Sequence, residues 1–361
     1  MAKAGTVALV GRPNAGKSTL SNRLLGERLS IVSDKPQTTR HRIVGILTRD
    51  EGQIVFYDTP GIHRPMHRMN REMVREAADA LGEADIVCLL VDISQPAGKG
   101  EAFLLDLVSK AKQPKIALLN KIDLVKKNKL LPILERYGKE GIFDAVIPIS
   151  AETGDGCESL LKELWKMLPE GEPLYDKELL TIHPERFLVA ERIREKILRE
   201  TRNELPFSTA VLLERWEDPG PDKALRIHAA LIVEREGQKK ILIGHQGEMV
   251  KTIGTAARHD LEEFLGRKVF LDLRIRTEED WRENPRIIAD IKRDLHAGTT
   301  LDVDDLNEAA DEADDLEQLL GDFDENDCLE GNHGKTVSAV AHGDDLDIDD
   351  DTEADDAEVR D

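Results

Sequence analysis

Eight consecutive residues, Gly11-Arg12-Pro13-Asn14-Ala15-Gly16-Lys17-Ser18, carry the first recognisable chemistry in the chain. Glycines at such spacing let main-chain N–H groups curl around an anion, and a lysine followed by a hydroxyl suits a polyphosphate with its divalent cation. In this reading Gly11 and Gly16 shape the cradle, Lys17 neutralises the β- and γ-phosphates, Ser18 offers its hydroxyl to Mg²⁺, and Thr19 opens the helix that follows. Asn14 has two readings. It braces the loop, or it helps to place a monovalent cation such as K⁺ where negative charge develops on the phosphates.

Three further segments complete a nucleotide site. Asp58-Thr59-Pro60-Gly61 puts a carboxylate at a strand end, where Asp58 holds the metal through water and Gly61 turns an N–H toward the γ-phosphate. Between this segment and the first loop, Gln37-Thr38-Thr39-Arg40-His41 is a polar stretch from which a threonine hydroxyl, Thr39 in preference to Thr38, can join the metal. Asn120-Lys121-Ile122-Asp123 decides the base. The Asp123 carboxylate is satisfied by two N–H groups of guanine and would be left desolvated and unpaired by adenine. Asn120 braces the loop and contacts the base, the Lys121 stem covers the ring face, and the Ser150-Ala151 turn adds a backbone N–H for guanine O6. The cofactors implied are GTP or GDP and Mg²⁺. The implied reaction is GTP hydrolysis, with Lys17, Thr39, Gly61 and Asn14 nearest the bond that breaks. Ile62 follows Gly61 and cannot orient water, so unaided hydrolysis is expected to be slow.

These loops need a scaffold that brings strand ends together. Short apolar runs at 7–10, 54–57, 86–91, 116–119 and 146–149 alternate with helical patterns and show no polar alternation, which predicts a doubly wound, mostly parallel α/β sheet covered on both faces. Domain boundaries are expected at 1–170 for this unit, 171–182 for a Pro- and Gly-containing linker, 183–298 for a second unit, and 299–361 for a tail. The second unit reads as α+β: a helical pattern over 184–202, strand-like runs at 209–213, 227–233 and 241–243, then Gly244-His245-Gln246-Gly247, a helix over 248–265 and a strand over 269–275. A glycine loop of that kind, entering a helix from an apolar strand, resembles the phosphate-backbone clamp of a KH domain for single-stranded RNA.

Charge divides the chain. Residues 299–361 hold 25 Asp and Glu against Lys335 and Arg360, while residues 1–298 hold 48 basic and 47 acidic side chains. The overall −22 therefore does not exclude a nucleic-acid partner. The acidic tail is expected to be disordered, since its composition cannot bury enough apolar surface to offset ordering entropy. It reads either as a solvated extension or as an electrostatic mimic of RNA. Three scattered cysteines, Cys88, Cys157 and Cys328, imply free thiols in a reducing compartment, and no apolar run approaches the length that spans a bilayer, so a cytoplasmic protein is expected.

Over about residues 5–295 the chain resembles the Era family of bacterial GTPases. The resemblance is carried by Gly-Arg-Pro-Asn-Ala-Gly-Lys-Ser-Thr from Gly11, Gln-Thr-Thr-Arg-His-Arg from Gln37, Asp-Thr-Pro-Gly-Ile-His from Asp58, Asn-Lys-Ile-Asp from Asn120, Ser-Ala from Ser150 and Glu-Asp-Trp-Arg-Glu-Asn from Glu279. It implies a guanine-nucleotide switch with a C-terminal type II KH domain that binds small-subunit ribosomal RNA near its 3′ end. It also implies a monomer that serves maturation of the small ribosomal subunit and can associate peripherally with the inner membrane. Gly244, His245, Gln246 and Gly247 would then clamp RNA, with Lys240 and Lys251 supplying charge. Two departures stand out. His245 and Gln246 occupy positions where family members often carry a basic residue, and the resemblance ends before the acidic tail. The rival reading is a GTP-gated scaffold for a partner protein or a membrane surface, with the glycine loop unused for RNA.

Overall fold

A computed structural model of the chain describes residues 2–62, 67–201, 205–220 and 223–293. The tail, with the disorder expected of it, and Cys328 lie outside the described residues. The first unit runs β1 (Lys3–Gly11), α1 (Lys17–Leu25), β2 (Ile43–Arg49), β3 (Gly52–Asp58), α2 (Arg68–Glu83), β4 (Ile86–Asp92), α3 (Lys99–Ser109), β5 (Lys115–Asn120), α4 (Lys127–Lys139), β6 (Ala145–Pro148) and α5 (Cys157–Met167). Its sheet has the order β2-β3-β1-β4-β5-β6. Every neighbouring pair is parallel except β2 with β3.

The apolar runs lack alternation because both faces are covered. Val7 and Leu9 of β1 pack with Leu20 and Leu24 of α1 and Leu160 and Leu164 of α5. Ala8 and Val10 of the same strand point the other way, toward Ala77 of α2, Val108 of α3 and Tyr137 of α4. Cys88 is a buried free thiol within β4. In a parallel sheet of this kind the C-terminal strand ends share one edge, and Gly11, Asp58 and Asn120 are the last residues of β1, β3 and β5. β2 was not among the expected strands. It forms an antiparallel edge, and the linker covers it: Leu180 O accepts from Ile46 N, and Thr181 Oγ1 donates to Val44 O.

The second unit runs α6 (Glu185–Glu200), α7 (Leu205–Ser208), β7 (Ala210–Glu217), β8 (Leu225–Val233), α8 (Glu236–Ile243), α9 (Glu248–Leu265), β9 (Val269–Thr277) and α10 (Pro285–Arg293). β8 lies between antiparallel β7 and parallel β9. Its core joins Ile193 and Ile197 of α6 to Ile253, Ala257 and Leu261 of α9. One expectation is corrected here. Residues 241–243 are the end of helix α8, not a strand. The Gln238 side chain accepts from the N–H groups of Glu234 and Arg235 and starts a helix that runs on through 243. Leu242 alone of the three is buried, which is helical rather than strand burial.

The two units meet across a polar and apolar seam. Met69 of α2 packs with Trp281 and Ile288 of the second unit, and Lys292 of α10 pairs with Glu72 at 2.5 Å and Glu76 at 3.6 Å.

Candidate functional site

The loop between β1 and α1 takes two left-handed residues, Asn14 at φ 62° and Gly16 at φ 98°. A Cβ on Gly16 would stand 2.2 Å from Asn120 Nδ2, and one on Gly11 would stand 2.6 Å from Leu90 O, so both glycines are required by close approach. Lys17 begins α1 and folds back, its Nζ donating to Gly11 O at 3.1 Å and Arg12 O at 3.0 Å. Burial pushes its ammonium down to about 8, with the Asp58 carboxylate acting in the opposite sense. A buried cation whose hydrogen bonds go to two carbonyls has the chemistry to accept a phosphate.

Asp58 is fully buried at the end of β3, and neither carboxylate oxygen accepts a hydrogen bond of good geometry among the described residues. Burial raises its pKa, while the Ser30 and Ser18 hydroxyls and the Lys17 ammonium nearby partly offset that. Ser18 Oγ and Thr39 Oγ1 lie 2.8 Å apart beside it. An acid with open lone pairs and two converging hydroxyls is the donor set of a hard divalent cation, so the residues present fit Mg²⁺. The threonine brought to Ser18 is Thr39. Thr38 is turned away, its hydroxyl donating to Lys35 O at 2.6 Å. A Cβ on Gly61 would meet Pro13 Cα at 2.7 Å, so the Asp58 segment lies tight against the phosphate loop, and Ile62 is buried with no polar atom for water.

Asn120 ties three loops together. Its Nδ2 donates to Ala15 O at 2.7 Å, and its Oδ1 accepts from Ala151 N at 2.9 Å. The Ala151 N–H is thereby engaged, so a guanine oxygen placed there would share it. Lys121 is held in the left-handed region at φ 68°, and its Nζ pairs with Asp92 Oδ2 at 2.5 Å. Asp123 is exposed on the short turn after it, free to meet a base. Ser150 accepts from Thr153 N through its hydroxyl at 3.1 Å and stabilises the last turn. Sequence reasoning missed Asp92, although a carboxylate ending parallel strand β4 was a signal of the same kind as Asp58.

It also missed how the polar stretch at 33–42 is held. Asn14 Nδ2 donates to Asp34 O at 2.7 Å, which favours the bracing reading of that residue. Arg194 of α6 donates from Nη2 to Thr38 O at 2.5 Å, and the Lys35 ammonium donates to the carbonyls of Leu198 and Thr201. Arg40 donates to Thr209 O at 2.8 Å and lies over the Trp281 ring. The segment that carries Thr39 is therefore fastened to the second unit on both sides.

On the far part of that unit, α8 ends at Gly244, whose φ of 73° and ψ of −177° suit glycine alone, and a Cβ there would meet Met249 Cβ at 2.7 Å. His245 and Gln246 are exposed, and Gly247 at φ 84° leads into α9. Lys239 pairs with Glu236 and Arg258 with Glu262. Lys240 and Lys251 are exposed and, among the described residues, form no ion pair, so they are the cations available beside the loop.

Comparison with known proteins agrees with this geometry. The family described as "50S ribosome-binding GTPase" matches residues 6–121, and the KH domain family matches residues 204–282. The chain is 44% identical over 288 residues to the GTPase Era of Syntrophus aciditrophicus, a match covering 80% of this chain and 94% of that protein. A crystal structure of a variant of Aquifex aeolicus Era bound to GDP·AlF4⁻ is 39% identical, with a TM-score of 0.77 over 80% of this chain and 98% of that one. A structure of Era with MgGDPNP and nucleotides 1506–1542 of 16S ribosomal RNA is 38% identical, with a TM-score of 0.78 over 81% of this chain and 99% of that one.

Proposed function

The chain belongs to the Era family of GTPases, and from that premise we propose a GTP-hydrolysing switch that grips small-subunit ribosomal RNA and assists maturation of the small ribosomal subunit. The observation that carries the reading is the line of contacts from Ser18 to Thr39 and onward, through Thr38 O, to Arg194 of the second unit. Whatever holds Thr39 also bears on the domain that carries the glycine loop.

Lys17 and the main-chain amides after Gly11 hold the phosphates. Ser18, Thr39 and Asp58 are the residues to hold Mg²⁺, which when bound draws charge from the phosphate oxygens. Gly61 reports the γ-phosphate by its N–H. With Ile62 in place of a polar side chain, hydrolysis rests on positioning and charge, and Asn14 offers its side-chain oxygen to K⁺ while its amide nitrogen braces Asp34. Asp123 selects guanine, Lys121 is kept in place for the ring face by Asp92, and the Ser150-Ala151 turn bounds the base. Gly244 and Gly247 let an RNA backbone approach, Lys240 and Lys251 attract its phosphates, and exposed Ile241 and Ile243 offer apolar surface to bases.

The related protein crystallised with both MgGDPNP and an RNA supports binding in the triphosphate state. A monomer in the cytoplasm, with peripheral contact to the inner membrane, completes the reading; no helix among the described residues is long and apolar enough to cross a membrane. The test is binding of a labelled 3′-terminal small-subunit RNA to the full chain with a GTP analogue and with GDP. The reading expects RNA to bind more tightly with the analogue. Equal binding would break the proposed link between nucleotide and RNA.

A further inference from the structure

The acidic segment is an addition to what the relatives contain, because the 288 matched residues already account for 94% of the Syntrophus protein. The last described residue is Arg293, which leaves 361 − 293 = 68 residues beyond it. Fully extended, such a length reaches roughly 220 Å, against a diameter of about 50 Å for a body of the described size. Every face of the protein is within its reach.

One face fits it chemically. Lys240 and Lys251 flank the glycine loop and form no close ion pair among the described residues, Lys240 acting on Glu236 only at longer range, and Ile241 and Ile243 between them are 56% and 37% exposed. Elsewhere in the second unit Arg267, Arg276 and Arg282 are each tied to a carboxylate; Arg215, Lys223, Arg235 and Arg286 are exposed and form no ion pair among the described residues, but they do not flank the glycine loop in sequence as Lys240 and Lys251 do. Residues 301–323 are the complement: ten acidic side chains and no basic one, interleaved with Leu301, Val303, Leu306, Leu316, Leu320 and Phe323. Purely solvated acidic runs do not need large apolar side chains.

We propose that residues 301–323 dock on the chain's own glycine-loop surface, with carboxylates on Lys240 and Lys251 and apolar side chains over Ile241 and Ile243, and so compete with single-stranded RNA. The proposal rests on the RNA-binding reading above. A tethered competitor acts at an effective concentration of about 1 mM, so a segment whose free peptide binds with a Kd near 0.1 mM weakens RNA binding about tenfold. The effect fades with salt, because the contacts to both ammonium groups are screened. Weak, unspecific RNA is turned away, while a tight ribosomal site still displaces the segment.

The experiment inserts a protease site between Gly298 and Thr299 of the full chain. Affinity for a labelled single-stranded RNA is measured before and after the tail is cut and removed, with GTP binding as the check on folding. A second variant of the uncut chain carries Asn or Gln in place of the ten acids of 301–323. Both changes are expected to raise affinity about tenfold at low salt, and a synthetic 301–323 peptide at about 0.1 mM should reverse roughly half of the gain. Equal affinity before and after cutting overturns the proposal and leaves RNA binding standing. Failure of the cut, GTP-competent protein to bind RNA removes the RNA reading instead. Docking is then decided by ¹⁵N spectra of the cut protein, where the peptide must shift the amides around 240–251, and unshifted amides overturn it.

Discussion

Replacing Asn120 by alanine removes a strap between three loops, and the structure gives its size. The side chain is 1% exposed, and it holds Ala15 O and Ala151 N, both on residues at most 2% exposed. Water cannot reach the orphaned carbonyl and N–H without the loops opening. Each unpaired buried group costs about 1–2 kcal/mol, so Asn120→Ala should lower the stability of the nucleotide-free chain by about 2–4 kcal/mol. Guanine-nucleotide affinity should fall as well, by about thirtyfold or more if 2 kcal/mol of loop alignment must be restored on binding. Asn120→Asp keeps an acceptor for Ala151 N but offers no donor to Ala15 O, and is expected to cost more than half as much, since two carbonyl-type oxygens then face each other. Urea unfolding followed by tryptophan fluorescence, with and without GDP, measures both quantities. An unchanged unfolding midpoint in Asn120→Ala, together with collapsed nucleotide affinity, would refute the bracing argument and make Asn120 a base contact alone.

Other outcomes follow from the same geometry. Asp123→Asn turns an acceptor into a donor at the exposed base loop, so GTP preference should be lost and xanthosine triphosphate gained in competition assays. At the domain seam, burial by itself would raise the Glu76 carboxyl, but the His41 ring, Lys292 and the Arg42 N–H more than offset it and hold it at about 2, below its ordinary 4.5. Glu72 and Arg40 also line this site. A depressed carboxyl contributes stability above pH 4.5 and loses it as pH falls toward 2, about 3 kcal/mol from the shift and about 2 kcal/mol after allowing for the fifth of the side chain that meets solvent. Glu76→Gln should therefore cost about 2 kcal/mol at pH 7 and flatten the acid limb of a stability–pH curve. Gly244→Ala adds a Cβ 2.7 Å from that of Met249 at a backbone geometry reserved for glycine, so RNA affinity should drop while GTP affinity stays within twofold, about 0.4 kcal/mol.

Much of the candidate nucleotide site was legible because the chemistry proposed for it is local. Gly11 to Ser18, Asp58 to Gly61 and Asn120 to Asp123 each sit at a strand end, and a doubly wound sheet has to gather those ends on one edge. β2 escaped because Gly45 interrupts its apolar run and its pairing depends on a hairpin rather than on a crossover. Residues 241–243 misled because three apolar residues fit either a strand or a helix end, and the deciding fact is the Gln238 cap that starts the helix upstream. The contacts that fasten Thr39 to the second unit were not readable at all. Arg194 reaches a backbone carbonyl 156 residues away, and a carbonyl has no sequence signature.

On the function proposed above, Lys17, Ser18, Thr39 and Asp58 form one pocket for Mg²⁺ and a guanosine triphosphate. Calorimetric titration of the full chain with GTP and with ATP, in magnesium and then with the magnesium chelated, reads out that pocket. Heat is expected from GTP at a one-to-one ratio, with weaker binding after chelation and no heat from ATP. Silence with GTP, or equal heats from the two nucleotides, would contradict that function.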